Sequence, residues 1–262
     1  AEDNTTNTAP EMPEFKDAQY DCVRAVVTLK AWIDRIKHRG HVAVDTETTG
    51  LNEMIVDLVG ISLCVEPGHA CYVPLTHKAG ASDDLFGSEE LAEGQVAVRD
   101  ALALLKPVLE DAAILKIGQN MKYDAKIFAR HDITVAPVDD TMLMSYAMHG
   151  GLHGHGMDAL SERYLSHTPI PIKPLLGSGK SAITFDRVPM EDATAYAAED
   201  ADITLRLWQT FKPDLHRAGV TRVYETLERP MIPVLTRMEM SGIRVTRDPL
   251  SRMSNAFAQK MA

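Results

Sequence analysis

Two carboxylates stand one residue apart at the end of a short apolar segment. Residues 41–44 read His-Val-Ala-Val, which predicts a buried strand, and Asp45 and Glu47 follow it. Because a strand alternates its faces, both acids point the same way and Thr46 points the opposite way. Unpaired carboxylates side by side are costly to bury, so one interpretation places a divalent cation between them. The other interpretation is an acidic strand end that faces water.

Two later segments offer further acids at positions where they can converge on the first pair. Asp124 lies in the first turn of a predicted helix, four residues after Asn120. Tyr196 and Asp200 are four apart in a long predicted helix, so they share one of its faces. Asp124 also has a plainer interpretation, as a first-turn acid favoured by the helix dipole.

Oxygen ligands of this kind suit a hard divalent cation. Four carboxylates with no His or Cys among them suit two Mg²⁺ or Mn²⁺ ions that act on a phosphate, held about 3.5–4 Å apart in such sites. The four candidate ligands are Asp45, Glu47, Asp124 and Asp200.

The elements that must position these acids alternate between strands and helices. Strands are predicted at 58–65 and 70–75, joined by a Pro-Gly turn, and at 113–117. Helices are predicted at 21–37, 91–109, 121–130, 141–148, 157–165 and from 189 to at least 211, the fourth capped by Asp140. This order predicts an α/β or α+β fold in which helices pack on a sheet.

Composition limits the class of partner. The 262 residues carry 27 Lys and Arg against 37 Asp and Glu, a net charge of −10. That balance argues against a protein that coats long duplex DNA, although it leaves room for a site that grips a few nucleotides. The sequence shows neither an apolar stretch of about 20 residues nor a secretory signal, and its three Cys lack metal-ligand spacing. We therefore expect a reduced, cytoplasmic protein with no membrane contact.

Three segments resemble the three motifs of the proofreading 3′→5′ exonuclease domain of family A DNA polymerases, the bacterial DNA polymerase I type. They are residues 44–48, 117–124 and 196–202, and the third is the variant with Tyr four residues before the final Asp. Residues 140–143 and 157–162 also resemble landmarks of that family. The match runs from about residue 20 to the C-terminus, in the family's order and spacing.

The resemblance implies an RNase H-like fold, with a mixed central sheet and helices on both faces. It also implies that Asp45, Glu47 and Asp200 hold a first Mg²⁺ or Mn²⁺ ion. Asp45 would bridge to a second ion, supported by Asp124. Tyr196 and Glu47 would orient the attacking water, and the product would be a 5′-nucleoside monophosphate.

The resemblance further implies a single-stranded or frayed DNA 3′ end as the partner. Leu51 matches the family's apolar wedge against the terminal bases, and Asn120 would contact the strand near the cleaved phosphate. The other expected DNA contacts are Thr46, Tyr123 and Lys180. One departure is Ile172, which stands where related enzymes often have Phe and should stack more weakly on a base.

The resemblance divides the chain into three parts. We expect a disordered lead-in over 1–17, the exonuclease domain over 18–217, and a linker with the start of a polymerase region over 218–262. The partner within the protein would be the remainder of a parent polymerase chain, and the fragment itself should be a monomer that does not polymerise.

Two other sequence patterns suggest a phosphate-binding loop and a zinc site, but neither is favoured. Residues 177–181 suggest a phosphate-binding loop, but Pro174 occupies the position where that motif needs Gly. His149, His153 and His155 lie in a Gly-rich turn. Capping or surface roles are favoured for them over structural zinc, which needs fixed geometry and usually a fourth ligand.

Two alternatives to a DNA exonuclease stay open on the sequence. Some family A polymerases keep this fold as a scaffold after losing the acids, and the full set of acids here argues against that. A ribonuclease D-like RNA exonuclease would use the same chemistry, and the polymerase-like tail from residue 228 argues for DNA.

Overall fold

The central element is a six-stranded mixed sheet. A computed structural model describes residues 12–79 and 90–261, with the backbone alone at Lys180. Strands follow the spatial order β1-β4-β3-β2-β5-β6, in which β3 runs antiparallel to β2 and β4 and the other neighbours are parallel. The strands are β1 (Gln19–Cys22), β2 (His41–Thr48), β3 (Leu58–Glu66), β4 (His69–Pro74), β5 (Leu115–Gly118) and β6 (Val138–Asp140).

Helices occupy both faces of this sheet, as expected for the fold class. Within the described ranges they are α1 (Val26–Arg39), α2 (Val98–Leu109), α3 (Met121–Ala129), α4 (Thr141–His149), α5 (Met157–Leu165), α6 (Ile172–Leu176), α7 (Met190–Arg217), α8 (Thr221–Val223), α9 (Arg229–Ser241) and α10 (Arg247–Met261). A π-helical turn at Tyr224–Glu228 separates α8 from α9.

The alternation of β2 decides which helices its acids meet. Val42 and Val44 enter a core built with α1, α2 and α3, whereas Ala43 enters a core built with α7. Asp45 and Glu47 have the parity of Ala43, so they face α7. Thr46 has the parity of the valines and faces α3.

Small residues let α7 lie close against the sheet. Ala197, Ala198 and Ala201 are fully buried, and the last two pack on Ala43 and Ile117. The absence of larger side chains along this stripe brings the helix backbone close to β2. Asp200 is carried on the same stretch of helix.

Several predicted elements are confirmed and others differ in their bounds. The hairpin of β3 and β4 and helix α5 lie where they were predicted. The first helix begins at Val26, because residues 19–22 instead pair with β4 as β1. Helix α2 begins at Val98 rather than 91, because Leu91 bridges Lys78 and the Gln95 side chain binds the backbone of His77.

The end of the predicted lead-in is part of the fold. Residues 1–11 lie outside the described ranges, but Phe15–Asp17 forms a 3-10 turn. The Phe15 ring stacks on His167 with centroids 3.6 Å apart, and the Arg206 guanidinium lies 4.0 Å from the same ring. The folded chain therefore begins earlier than the predicted boundary at 18, because these aromatic contacts hold it.

The segment after α7 packs on the domain before it extends away. Tyr224 is fully buried and its hydroxyl donates to Asp139 at 3.0 Å. On α9, Glu239 pairs with Lys122 at 2.6 Å and with Lys126, whose ammonium also reaches Glu53 at 2.5 Å. Helix α10, in contrast, is exposed along the whole of its described length.

Membrane insertion finds no support among the described helices. None of them combines the length and the apolar character that a bilayer crossing requires.

Enlarging the small-residue stripe should destabilise the protein. Ala198→Leu adds three carbons where α7 meets the sheet, so we expect the free energy of unfolding to fall by about 2–3 kcal/mol. Denaturant unfolding measures this. Ala258→Leu, on exposed α10, is the matched control and should change stability by less than about 0.5 kcal/mol. Equal effects of the two substitutions would contradict close packing at Ala198.

Candidate active site

The end of β2 is shaped to present its acids. Asp45 stands opposite Ser62 and Glu47 opposite Gly60, and the register shifts between Glu47 and Thr48. A Cβ on Gly60 would lie 2.1 Å from the Tyr72 hydroxyl oxygen. Glycine is therefore required there, because the Tyr72 ring occupies the space next to Glu47.

Three carboxylates meet between β2 and α7. One oxygen from each of Asp45, Glu47 and Asp200 lies within 4.8 Å of the other two. Among the described residues, none of the three forms an ion pair with Lys, Arg or His. The sequence predicted this convergence from two separate segments. A divalent cation fits these three acids, because they offer oxygen ligands and no Lys, Arg or His side chain of the described residues neutralises their charge.

Crowding and burial make these acids reluctant to ionise. Burial raises the pKa of Asp45 from its ordinary 3.8 to about 7. Burial, followed by the charges of Asp45, Asp200 and Asp124, holds the pKa of Glu47 well above its usual range. Burial and the charge of Asp45 do the same to the pKa of Asp200. Bound cations would reverse this penalty.

Asp124 approaches from the opposite face of the sheet. It is buried on α3, and its Oδ1 accepts hydrogen bonds from the Thr46 amide at 3.0 Å and the Thr46 hydroxyl at 2.6 Å. Burial, followed by the charge of Asp45, holds the pKa of Asp124 well above its usual range. Asp124 thus lies beside Asp45 but outside the group of three.

Thr46 supports Asp124 from β2. Its side chain is buried and its hydroxyl is committed to Asp124. The strand alternation that points Asp45 toward α7 points Thr46 toward α3, so Thr46 positions the fourth carboxylate.

Tyr196 lines the same cleft as Asp200, which lies four residues further along α7. Burial and the charges of Asp200, Glu47 and Asp45 raise the pKa of Tyr196 far above its ordinary value. The phenol therefore stays protonated at neutral pH and acts as a hydrogen-bond donor rather than a base.

One buried carboxylate fixes the start of α3. Asn120 adopts a left-handed conformation with φ of 64° and makes no side-chain cap. Asp140 supplies the cap from β6, accepting from the amides of Met121 at 2.8 Å, Asn120 at 3.3 Å and Leu143 at 3.2 Å. The predicted cap of α4 is confirmed. The second cap was missed because it depends on the parallel pairing of β5 with β6.

The rim of the site carries the remaining predicted residues. Leu51 is 92% exposed, and Asn120 is exposed as well. The Tyr123 hydroxyl instead ties the Leu51 loop down, with the Gly50 carbonyl at 2.8 Å and the Thr48 hydroxyl at 2.5 Å. The side chain of Lys180 lies outside the described part.

Four apolar residues line the cleft together with Leu51. Ile172 lies in it, together with Leu176, Ile183 and Phe185, which line the same cleft as the acids. Sequence reasoning missed the last three. A signal was available, since they are apolar residues in a loop otherwise rich in Pro, Gly and Lys.

The acids that flank Asp200 bind side chains and backbone groups outside the cluster of three carboxylates. Glu199 accepts from the Ile170 amide at 2.6 Å and pairs with His167 at 2.9 Å. Asp202 binds Arg206 at 2.9 and 3.1 Å. Both are buried, and their hydrogen bonds and ion pairs give them structural roles.

Removing the Thr46 hydroxyl should destabilise the protein, because Asp124 would lose a hydrogen-bond donor. Thr46→Val keeps the shape but leaves a buried carboxylate short of a hydrogen bond, so we expect a loss of about 1–3 kcal/mol in unfolding free energy. Thr46→Ser retains the hydroxyl and should lose less than half as much. If Val and Ser cost the same, the hydrogen bond to Asp124 is not the cause.

Removing the charge of Asp45 should stabilise the metal-free protein as pH rises. A folded-state pKa of about 7 lies above the unfolded value, so the wild type loses stability between about pH 4 and pH 7. Asp45→Asn has no carboxyl group to ionise at this position, so it does not lose this stability. Its advantage should be about 4 kcal/mol larger at pH 8 than at pH 4, since each pKa unit corresponds to about 1.4 kcal/mol.

Thermal and denaturant unfolding in the presence of a chelator would show the difference. Adding Mg²⁺ should then stabilise the wild type more than Asp45→Asn at pH 8. A pH-independent difference between the two proteins would contradict the crowding of the carboxylates.

Comparison with known proteins agrees with this geometry. A family model described as 3′-5′ exonuclease matches residues 20–216. DNA polymerase I of Rhizobium leguminosarum is 50% identical over 257 residues, which cover 95% of this chain and 25% of that protein. The chain thus spans about a quarter of the length of the curated relatives it matches.

Solved structures support the fold. The Pol1 POL domain from M. smegmatis, in complex with DNA primer-template and dNTP, superimposes with a TM-score of 0.68 at 18% identity, covering 91% of this chain and 35% of that one. Escherichia coli RNase D superimposes with a TM-score of 0.59 at 16% identity, covering 92% and 55%. These likenesses confirm the RNase H-like architecture. With a family model over most of its length and a relative identical at half of the aligned positions, this chain belongs to the 3′-5′ exonuclease family, a family of hydrolytic nucleases that use divalent metal ions.

Proposed function

We propose that this chain is the proofreading 3′→5′ exonuclease domain of a DNA polymerase I, removing nucleotides from single-stranded or frayed DNA 3′ ends. The observation that carries the proposal is the meeting of Asp45, Glu47 and Asp200 without a cationic partner in the described structure. The acids lie in a cleft that exposed Leu51 borders. The product would be a 5′-nucleoside monophosphate.

The four carboxylates divide into two overlapping sets of ligands. Asp45, Glu47 and Asp200 would hold one Mg²⁺ or Mn²⁺ ion, and Asp45 with Asp124 would hold a second. When bound, the ions lower the pKa of the attacking water and stabilise charge on the leaving 3′ oxygen. Asp124 reaches its side from α3 through the Thr46 hydrogen bonds, which suits a supporting contact.

Two side chains in the cleft would orient the attacking water. The Tyr196 phenol stays protonated and leans toward Asp200, so it donates a hydrogen bond to the water and cannot take its proton. The Glu47 carboxylate accepts from the same water. Together they fix the direction of attack on the phosphorus, which is a contribution of orientation rather than of basicity.

The rim would hold the terminal nucleotides. Leu51 is free to insert between the last bases because its side chain is almost wholly exposed. Ile172, Leu176 and Ile183 offer an apolar surface on the other side of the cleft. A nucleobase held between aliphatic side chains gains area burial but no ring stacking. Asn120 and Lys180 would meet the phosphate backbone.

The rest of the parent polymerase would deliver the strand. The matched relatives are about four times longer and are named DNA polymerase I. The net charge of −10 makes this domain a weak binder of long DNA by itself. The domain itself would be a monomer at work in the bacterial cytoplasm.

Two other functions have less support. A catalytically silent scaffold has no need of carboxylates that burial and mutual repulsion penalise, and all four are present. An RNA exonuclease shares the fold of Escherichia coli RNase D, but that likeness, at 16% identity, bears on architecture alone.

A primer-shortening assay tests the proposal. With Mg²⁺ or Mn²⁺ and a mismatched primer, the chain should release 5′-monophosphates. Asp45→Ala should slow release by about 10³-fold or more, since it removes several kcal/mol of transition-state stabilisation. Glu162→Ala, an exposed acid on α5, should leave the rate unchanged.

Two outcomes would overturn it. Shortening that survives Asp45→Ala would assign the activity to another site. Faster trimming of an RNA oligonucleotide than of the DNA oligonucleotide with the matching sequence would favour the ribonuclease alternative. Calorimetric titration with Mn²⁺ distinguishes an active domain from a silent scaffold. An active domain should bind Mn²⁺ at a site that Asp200→Ala weakens, whereas a silent scaffold should show no such site.

A further inference from the structure

A buried glutamate beside the site holds a short stretch of chain at both of its ends. Glu199 is 6% exposed and directly precedes Asp200 on α7. The His167 Nε2 donates to its Oε1 at 2.9 Å, and the Ile170 amide donates to its Oε2 at 2.6 Å. Both carboxylate oxygens therefore bind residues 167–170, which fixes this stretch against the helix that carries Asp200.

The stretch leads directly into part of the lining of the cleft. Helix α6 begins two residues after Ile170, and its residues Ile172 and Leu176 line the cleft that holds the acids. We call these two residues the α6 lining. Asp200 lines the same cleft from α7. Glu199 therefore connects the α6 lining to the helix that presents one of the carboxylates.

An aromatic residue far away in the sequence holds the His167 ring in place. The Phe15 ring stacks on the His167 ring, with centroids 3.6 Å apart and planes 8° apart. The Arg206 guanidinium lies 4.0 Å from the centre of the same Phe15 ring. Both groups lie too near the ring centre to share one of its faces, so Phe15 is held between them. Both contacts are attractive.

Arg206 is itself fixed, so it gives Phe15 a firm support. Its side chain is buried, and its guanidinium binds Asp202 at 2.9 and 3.1 Å. The same guanidinium donates to the Pro13 carbonyl, which holds the backbone next to Phe15. A continuous set of contacts thus runs from Arg206 through Phe15 and His167 to the buried carboxylate next to Asp200.

We propose that Phe15, His167 and Glu199 are positioning residues of the exonuclease site, which set the place where the α6 lining meets the 3′-terminal base of the strand. The inference rests on the proposed function, because it concerns the strand that the cleft holds. A lining that is already ordered binds the base without a further loss of conformational freedom. Phe15 lies ahead of the family match, which begins at residue 20, so the motifs of the site give no sign of it.

Steady-state kinetics of the whole chain on single-stranded DNA test this role. Phe15→Ala removes the stacked ring, so we expect KM to rise about 5-fold and kcat to stay within about 2-fold of wild type, because the lost contact bears on binding the strand and not on the reacting phosphate. Phe15→Tyr keeps the ring and should have the KM of the wild type. Phe257→Ala, which removes an exposed ring from α10, is the matched control and should leave both constants unchanged.

A strand that lacks the terminal base shows which contact carries the effect. A 3′-terminal tetrahydrofuran residue has the sugar and the phosphate but no base, so an ordered α6 lining gives it no advantage. For the first cleavage of this strand, the ratio of KM between Phe15→Ala and wild type should fall from about 5 to about 1. A general loss of folded protein would instead affect both strands alike.

Hydrogen exchange gives a second readout that needs no activity. The Ile170 amide is bound to Glu199, so it should exchange slowly in the wild type and at least about 10-fold faster in Phe15→Ala. The amide of Leu63, on a strand paired on both sides, should keep its rate. NMR measures both amides in the same sample.

Two results would overturn the inference while the exonuclease proposal stands. One is a KM of Phe15→Ala equal to that of the wild type, and the other is an equal rise in KM on strands with and without the terminal base. If Phe15→Ala does not fold, Phe15→Leu decides in the same way, since it keeps apolar volume and loses the flat ring. Shortening that survives Asp45→Ala would contradict the exonuclease proposal instead.

Discussion

Like-charge crowding at one end of β2 is the constraint on which the rest of the molecule depends. Asp45, Glu47 and Asp200 repel one another and lose hydration, so the fold must hold them together against a tendency to separate. Close packing in the surrounding elements holds them in place. The alanines of α7 fix the helix against the sheet, and Gly60 lets the Tyr72 ring pack over β3.

The two faces of β2 separate Asp45 from Thr46, the support of Asp124, as they separate the two cores. Residues of one parity on β2 face α7 and those of the other face α3. Asp45 therefore belongs to the α7 side, and Asp124 reaches it around the strand end with Thr46 as its support. A single strand thus sets the positions of groups that come from two different helices.

The sequence predicted the parts of the molecule that depend on local pattern. The hairpin, helix α5 and the face shared by Asp45 and Glu47 follow from periodicity and turn residues, and the family resemblance supplied the architecture. The pattern failed at β1 and β6, which are four and three residues long and have no alternation to detect. Their pairing depends on distant strands.

Contacts that cross the fold were equally out of reach of the sequence. The hydrogen bond of Thr46 with Asp124, the second cap from Asp140 and the apolar wall at Ile183 each join segments far apart in the chain. The three histidines were visible as a cluster of residue types. Only the structure gave the distances between their rings.

Lys126 links two segments that lie far apart in the sequence. Its buried ammonium lies between Glu53, in the loop that carries Leu51, and Glu239 on α9. If α9 were displaced, the Lys126 ammonium would lose its contact either with Glu239 or with Glu53. The ion pairs of Lys126 therefore join the Leu51 loop and α9 through α3.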